Sequence, residues 1–217
     1  MATGISIADG LFNLGFGKGI QLPSVGGGPG GCTPQGLTWS SIPGTANIFY
    51  QPAYGLYNYS VAMNIFLAAE MAAGINCING LEFEVNGYST PYTYNNFTIK
   101  LAHVQNSFFG TAVTVGLDNL TVSDVTIVKE NFNLTIANSG LQTVDFDNNF
   151  EWNGTDNILV IYENRDGVYA SGYGWGETRS QGAGTNRTAY KFQDGSYPSN
   201  STVLSVDYRR LNITFKY

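Results

Sequence analysis

His103 is the only histidine in the chain, and this bounds the chemistry on offer. Any Ser-His-Asp triad would have to use it, and a multi-histidine metal site cannot form. It ends the alternation Phe97, Ile99, Leu101, where a packing or hydrogen-bonding role is expected; no hydrolase set is visible and no enzyme activity is expected. Four acids, Asp145, Asp147, Glu151 and Asp156, crowd one stretch. Calcium takes roughly six to eight oxygen ligands, but this spacing matches no known calcium loop, and alternation puts Asp145 and Asp147 on one face of a strand. Solvent-facing acids without a metal or cofactor are the expectation. The best ligand candidates are Tyr169, Tyr173, Trp175 and Arg179, inside the glycine-rich stretch 167–184. Aromatic faces stack on sugar C–H groups, and loops on a rigid scaffold often carry recognition. The same residue types are typical of subunit interfaces, so a protein contact competes with a glycan.

Two other sets of residues carry possible covalent chemistry. Cys32 and Cys77 would close a loop worth about 3 to 4 kcal/mol if joined, but nothing in the sequence marks an oxidising compartment, so two free thiols are expected. Asn-X-Ser/Thr triplets begin at Asn58, Asn96, Asn119, Asn133, Asn153, Asn186, Asn200 and Asn212. As glycosylation acceptors they would mean a secreted protein. Polar-apolar-polar alternation in an Asn- and Thr-rich strand protein makes the same triplet, and no signal sequence is visible at the start. Unmodified asparagines are the expectation.

The elements that must hold these residues are strands. The chain has 217 residues, 12% of them charged, with abundant glycine and tyrosine, a composition of strands and turns. That length suits a single sandwich domain. A net charge of −6, with basic residues scattered, argues against nucleic acid. No stretch reaches the roughly 20 apolar residues that span a bilayer, so no membrane insertion is expected. In the segment 142–164, Val144 and Phe146 alternate with polar neighbours, Asn153-Gly154 supplies a hairpin or tight-corner signal, and Ile158 to Tyr162 is continuously apolar. A hairpin is expected, its second strand central to a sheet and covered on both faces.

Earlier in the chain, residues 1–31 combine Leu11, Phe12, Leu14, Phe16, Ile20 and Leu22 with a glycine-rich tether. They read as an arm that buries its apolar residues on something else. Ile65 to Ala73 is alanine-rich and ends at Gly74, predicting one short helix. Strands are expected over Ile78–Val85, Phe97–His103, Ala112–Val115, Leu120–Val128, Leu134–Ile136, Ala189–Phe192 and Arg210–Tyr217, in an antiparallel, jelly-roll-like all-β sandwich spanning 32–217.

Several of these stretches together resemble a known module. Tyr57-Asn-Tyr-Ser60, Ala68-Ala-Glu-Met71, Lys100-Leu-Ala-His103 followed by Ser107-Phe108, and Phe150-Glu-Trp-Asn-Gly-Thr-Asp-Asn-Ile-Leu-Val160 are similar to a β-sandwich accessory module of large secreted and surface proteins of Bacteroidetes. The resemblance covers about residues 50 to 192 and implies a non-catalytic domain. The chain departs from that pattern in starting at a methionine with a docking-like arm, which resembles, in architecture alone, tailed-phage virion proteins. The leading expectation is therefore a virion structural protein, a capsid decoration or fibre component. It would dock by the arm on other virion proteins and form a homo-oligomer. The alternative is a secreted or cell-surface adhesion module binding a host surface glycan through 169–179.

Overall fold

The computed structural model describes residues 31–41, 48, 50–85, 91–169, 177–179 and 185–217. Among these residues twelve strands are formed: β1 Thr38–Ser40, β2 Tyr59–Phe66, β3 Cys77–Val85, β4 Tyr92–Val104, β5 Val122–Ile136, β6 Gly140–Glu151, β7 Asn157–Asn164, β8 Glu177–Arg179, β9 Thr188–Gln193, β10 Ser205–Asp207, β11 Arg209–Leu211 and β12 Ile213–Lys216. They make a four-stranded sheet ordered β1-β12-β3-β6, a six-stranded sheet ordered β10-β9-β2-β7-β4-β5, and the small pair β11-β8. Every pairing is antiparallel.

This order is that of a jelly roll. The pairs β1·β12, β2·β7, β3·β6 and β4·β5 are the rungs of one long hairpin, and successive rungs fall alternately in the two sheets. Strands β8 to β11 are an insertion before the last strand, and β9 and β10 extend the larger sheet beyond β2. The inner faces of the two sheets bury Phe66, Leu81, Phe83, Phe97, Phe150, Val160 and Phe215, among others. A second apolar layer lies on the opposite face of the larger sheet, where Met63, Ile65, Leu159 and Ile161 meet Phe109, Val113 and Leu204 from the long connections. That arrangement explains the continuous run in β7, since Ile158, Val160 and Tyr162 face one core and Leu159 and Ile161 the other.

Several expectations need correction. Ala112–Val115 forms no strand, only an isolated bridge from Thr114 to Val203, and the two strands expected over 120–128 and 134–136 are one, β5. The stretches on either side of Asn153-Gly154 are not a hairpin: β6 pairs with β3 and β7 with β2 and β4, so this turn is a corner between sheets. Gly154 adopts φ 76° there, which suits a corner as well as a hairpin. The helix predicted over 65–73 is a single 3-10 turn, Ala68–Glu70, because Ile65 and Phe66 still belong to β2 and tertiary packing on both faces overrides alanine's propensity. The last strand divides at Asn212 into β11 and β12, which belong to different sheets. Finally, Cys32 and Cys77 form a disulfide, their Cα atoms 5.4 Å apart; Cys77 opens β3, and the bond pins the lead-in to β1 against it.

Candidate functional site

The loop singled out from the sequence is described at its flanks. Tyr169 is 59% exposed, and the charge of Asp194 beside it raises the pKa of its hydroxyl. Tyr173 and Trp175 lie outside the described residues, as do Leu11, Phe12, Leu14, Phe16, Ile20 and Leu22 of the arm. Arg179 is placed by its backbone, opposite Arg209 in the β8·β11 pair.

Between those flanks runs a row of rings that sequence reasoning missed. The Tyr50 and Tyr190 rings stack with centroids 4.1 Å apart, and Tyr190 is followed by Phe192 at 5.9 Å. Phe192 meets Tyr57 at 4.5 Å and Tyr54 at 4.8 Å. All five are half-buried. The row exists because Tyr190 and Phe192 share one face of β9, two residues apart. They sit beyond β2, so their rings are met by the β1–β2 connection, which brings in Tyr50, Tyr54 and Tyr57. A buried polar cluster holds that connection: Asn64 of β2 donates to Gln51 Oε1 (2.7 Å) and to Thr188 Oγ1 (2.9 Å), and Gln51 Nε2 reaches Thr188 Oγ1 at 3.1 Å.

Each end of the row has its own anchor. At the Tyr57 end, Asn58 Nδ2 donates to Gly167 O (2.7 Å) and Gly167 N to Asn58 O (3.0 Å), which fixes the start of the glycine-rich loop two residues before Tyr169. At the Tyr50 end, the Tyr50 hydroxyl donates to Asp207, while Arg209 Nη2 donates to Asp207 Oδ2 (2.8 Å) and to the Tyr50 oxygen (3.0 Å). Burial, and then the hydrogen bond to Asp207, hold the Tyr50 hydroxyl protonated far above its ordinary range. Burial opposes the charge of Asp207, but the bonds from Arg209 and Tyr50 prevail and keep its carboxyl below the ordinary value. The return of the loop, β8, pairs with the same Arg209. A strip of aromatic faces with a carboxylate, a guanidinium and a phenol at one end can stack apolar sugar faces and exchange hydrogen bonds with their hydroxyls.

The remaining candidates resolve into structural roles. His103 is buried, its ring lies 4.9 Å from that of Phe150, and its Nε2 accepts the Asn153 backbone N–H at 3.1 Å, so it braces the corner between β6 and β7. Its Nδ1 lies 3.4 Å from Asp124 Oδ2 at the edge of a cleft of about 430 Å³ lined also by Asn149 and Trp152. Because Nε2 is already an acceptor, it is unavailable as the base of a triad in this geometry. The acids of 145–156 do not converge. Asp145 and Asp147 are exposed and pair with Lys216 and Lys129, and Asp156 accepts from Asn153 Nδ2 at 2.8 Å. Among the described residues no three His, Cys, Asp or Glu side chains are grouped to hold a metal.

Neither a family model nor a curated protein sequence matches the chain. Among solved structures, a similar chain is that of the cysteine protease and lectin-like domains of Cwp84, a surface layer associated protein of Clostridium difficile. The identity is 11% and the TM-score 0.35, over 81% of this chain and 36% of that one. The match thus spans about a third of that chain's length, and an overlap this loose assigns the present chain no activity.

Proposed function

We propose that this chain is a non-enzymatic recognition module of an exported or cell-surface protein, binding carbohydrate along the aromatic row. The carrying observation is the row itself, Tyr50, Tyr190, Phe192 and Tyr57, with the Asp207–Arg209 pair at one end and the flanks of the Tyr169–Arg179 loop fixed at both. The Cys32–Cys77 disulfide supports an oxidising location. Jelly rolls serve lectins and capsids alike, so the fold is neutral between them. A disulfide is also at home on a virion exterior, and the arm on which the virion reading depends lies outside the described residues.

The test is a glycan array with the oxidised protein, followed by Tyr190→Ala and Trp175→Ala, each checked for an unchanged circular dichroism spectrum. Loss of one stacking face should weaken binding by about tenfold, the equivalent of roughly 1.4 kcal/mol. Unchanged binding in both variants, or no binding to any glycan by the folded wild type, would overturn the proposal.

A further inference from the structure

We infer that this protein is itself N-glycosylated, at the exposed subset of its Asn-X-Ser/Thr triplets: Asn96, Asn119, Asn133, Asn153 and Asn200. Strand alternation does not account for the triplets. The chain holds 22 asparagines and 34 serines plus threonines in 217 residues, a composition that yields about three or four such triplets by chance against the eight present. Seven of the eight end in threonine, although serine makes up 15 of those 34 residues. Of the five proposed sites, Asn119, Asn153 and Asn200 lie in connections rather than strands, and Asn96 sits on a β-bulge with φ 55°. Alternation is absent at all four.

Exposure then sorts the acceptors. The five named asparagines are exposed, while Asn58, Asn186 and Asn212 are half-buried, and the Asn58 amide is committed to Gly167 O. In the transfer, the asparagine Nδ2 forms a bond to the anomeric carbon of a lipid-phosphate-linked glycan. The bond from that carbon to the phosphate oxygen breaks, the lipid phosphate leaves, and one amide proton goes to a base of the transferase. The product amide keeps one N–H, enough to preserve the single bond that Asn153 makes to Asp156 Oδ2 and that Asn119 makes to Ala112 O, both at 2.8 Å. At Asn153 the acceptor is already shaped as a turn, with Oδ1 receiving the Thr155 N–H (3.0 Å) and hydroxyl (3.1 Å). The five acceptors lie on the β4–β5 side and on connecting turns. None falls on the aromatic row or within β3 and β6 of the smaller sheet.

This inference needs export, in common with the proposed function, but not sugar binding. The test is intact-mass and glycopeptide mass spectrometry on the protein purified from the organism that makes it. Glycan mass on members of the exposed five, with Asn58, Asn186 and Asn212 bare, is the expected result. An intact mass equal to that of the unmodified oxidised chain, or sugar confined to the three half-buried sites, overturns it. In the same host, Thr155→Ala should remove the glycan mass at Asn153 while Thr155→Ser retains it; an unchanged mass in the alanine variant overturns the assignment at that site. A glycan-array failure with unmodified recombinant protein would leave these masses untouched, so the two proposals fail separately.

Discussion

Glu70 is the residue on which the most buried charge depends. Its carboxylate accepts from Arg187 Nη1 (2.6 Å), Arg210 Nη1 (2.8 Å) and the Leu67 backbone N–H (3.0 Å), so two guanidinium groups share one counter-ion. Arg210 also donates to Ile65 O at 2.8 Å and lies over the Phe66 ring. Burial works against the charge on Glu70, yet the two arginines outweigh it and its pKa stays below the ordinary 4.5. A carboxyl depressed in the folded state contributes stability that is present above its unfolded pKa and is lost as pH falls through the folded one. Unfolding titrations should therefore show stability falling below about pH 4.5, with Asp207 adding to the slope at lower pH. Glu70→Gln should cost about 3 kcal/mol at neutral pH by removing the carboxylate that two buried guanidinium groups share, and should flatten that acid limb. An unaltered acid limb would show that other carboxyls produce it. Gly80 is a steric counterpart. A Cβ there would stand 2.9 Å from Val144 O and 3.1 Å from the Lys216 chain that crosses toward Asp145. Gly80→Ala should cost about 1 to 3 kcal/mol in urea denaturation. Gly110→Ala, where a Cβ meets nothing within 4 Å, serves as the near-neutral control.

Among the elements, the Cys32–Cys77 bond has the clearest measurable effect. It closes a separation of 45 residues that includes β1, the Tyr50–Tyr57 connection and β2, and the loop-entropy relation gives about 4 kcal/mol for that length. The Cys32→Ser/Cys77→Ser double variant should unfold at correspondingly lower urea concentration while keeping its far-ultraviolet spectrum. A midpoint unchanged by the substitutions would mean that the bond constrains little. This element was not legible in the sequence, since two cysteines among glycines do not report their compartment. What was legible followed the local rules of strands. The alternation through Leu81, Phe83 and Val85 marked β3, and the unbroken run at 158–162 marked β7 as a central strand. The pairing of β6 with β3 across the sandwich was not legible, because Asn153-Gly154 looks the same whether the chain turns back on its neighbour or crosses to the other sheet. The aromatic row was hidden for a similar reason. Its members come from 50–57 and from β9, and only the two-residue spacing of Tyr190 and Phe192 hinted at one shared face.

At the scale of the whole molecule, the described body is poorly suited to assembly by sheet extension. Its edge strands β1 and β10 have three residues each, the twelve-residue β6 edge carries a register shift opposite Ile78–Gly80 of β3, and the long β5 edge is interrupted by register shifts, with Asp124 and Asn131 at φ 52° and 50°. That edge is also tied to β6 by Lys129 to Asp147 (2.8 Å) and by Asn148 Nδ2 to Ile127 O (3.0 Å). Short, bulged and covered edges discourage strand addition. Any homo-oligomer is therefore expected to form through side-chain surfaces or through the arm, whose apolar residues Leu11, Phe12, Leu14, Phe16, Ile20 and Leu22 the sequence assigns to docking. Every described strand begins at or after Thr38, so deleting residues 1–30 should leave the disulfide formed and the melting temperature within about two degrees. If the arm is the assembly contact, sedimentation should show an oligomer for the full chain and a monomer for the truncated one. Equal oligomeric mass in the two proteins would place the contact on the jelly roll, and a monomeric full chain would remove self-association from the arm's role. A large drop in melting temperature on truncation would show instead that the arm belongs to the fold.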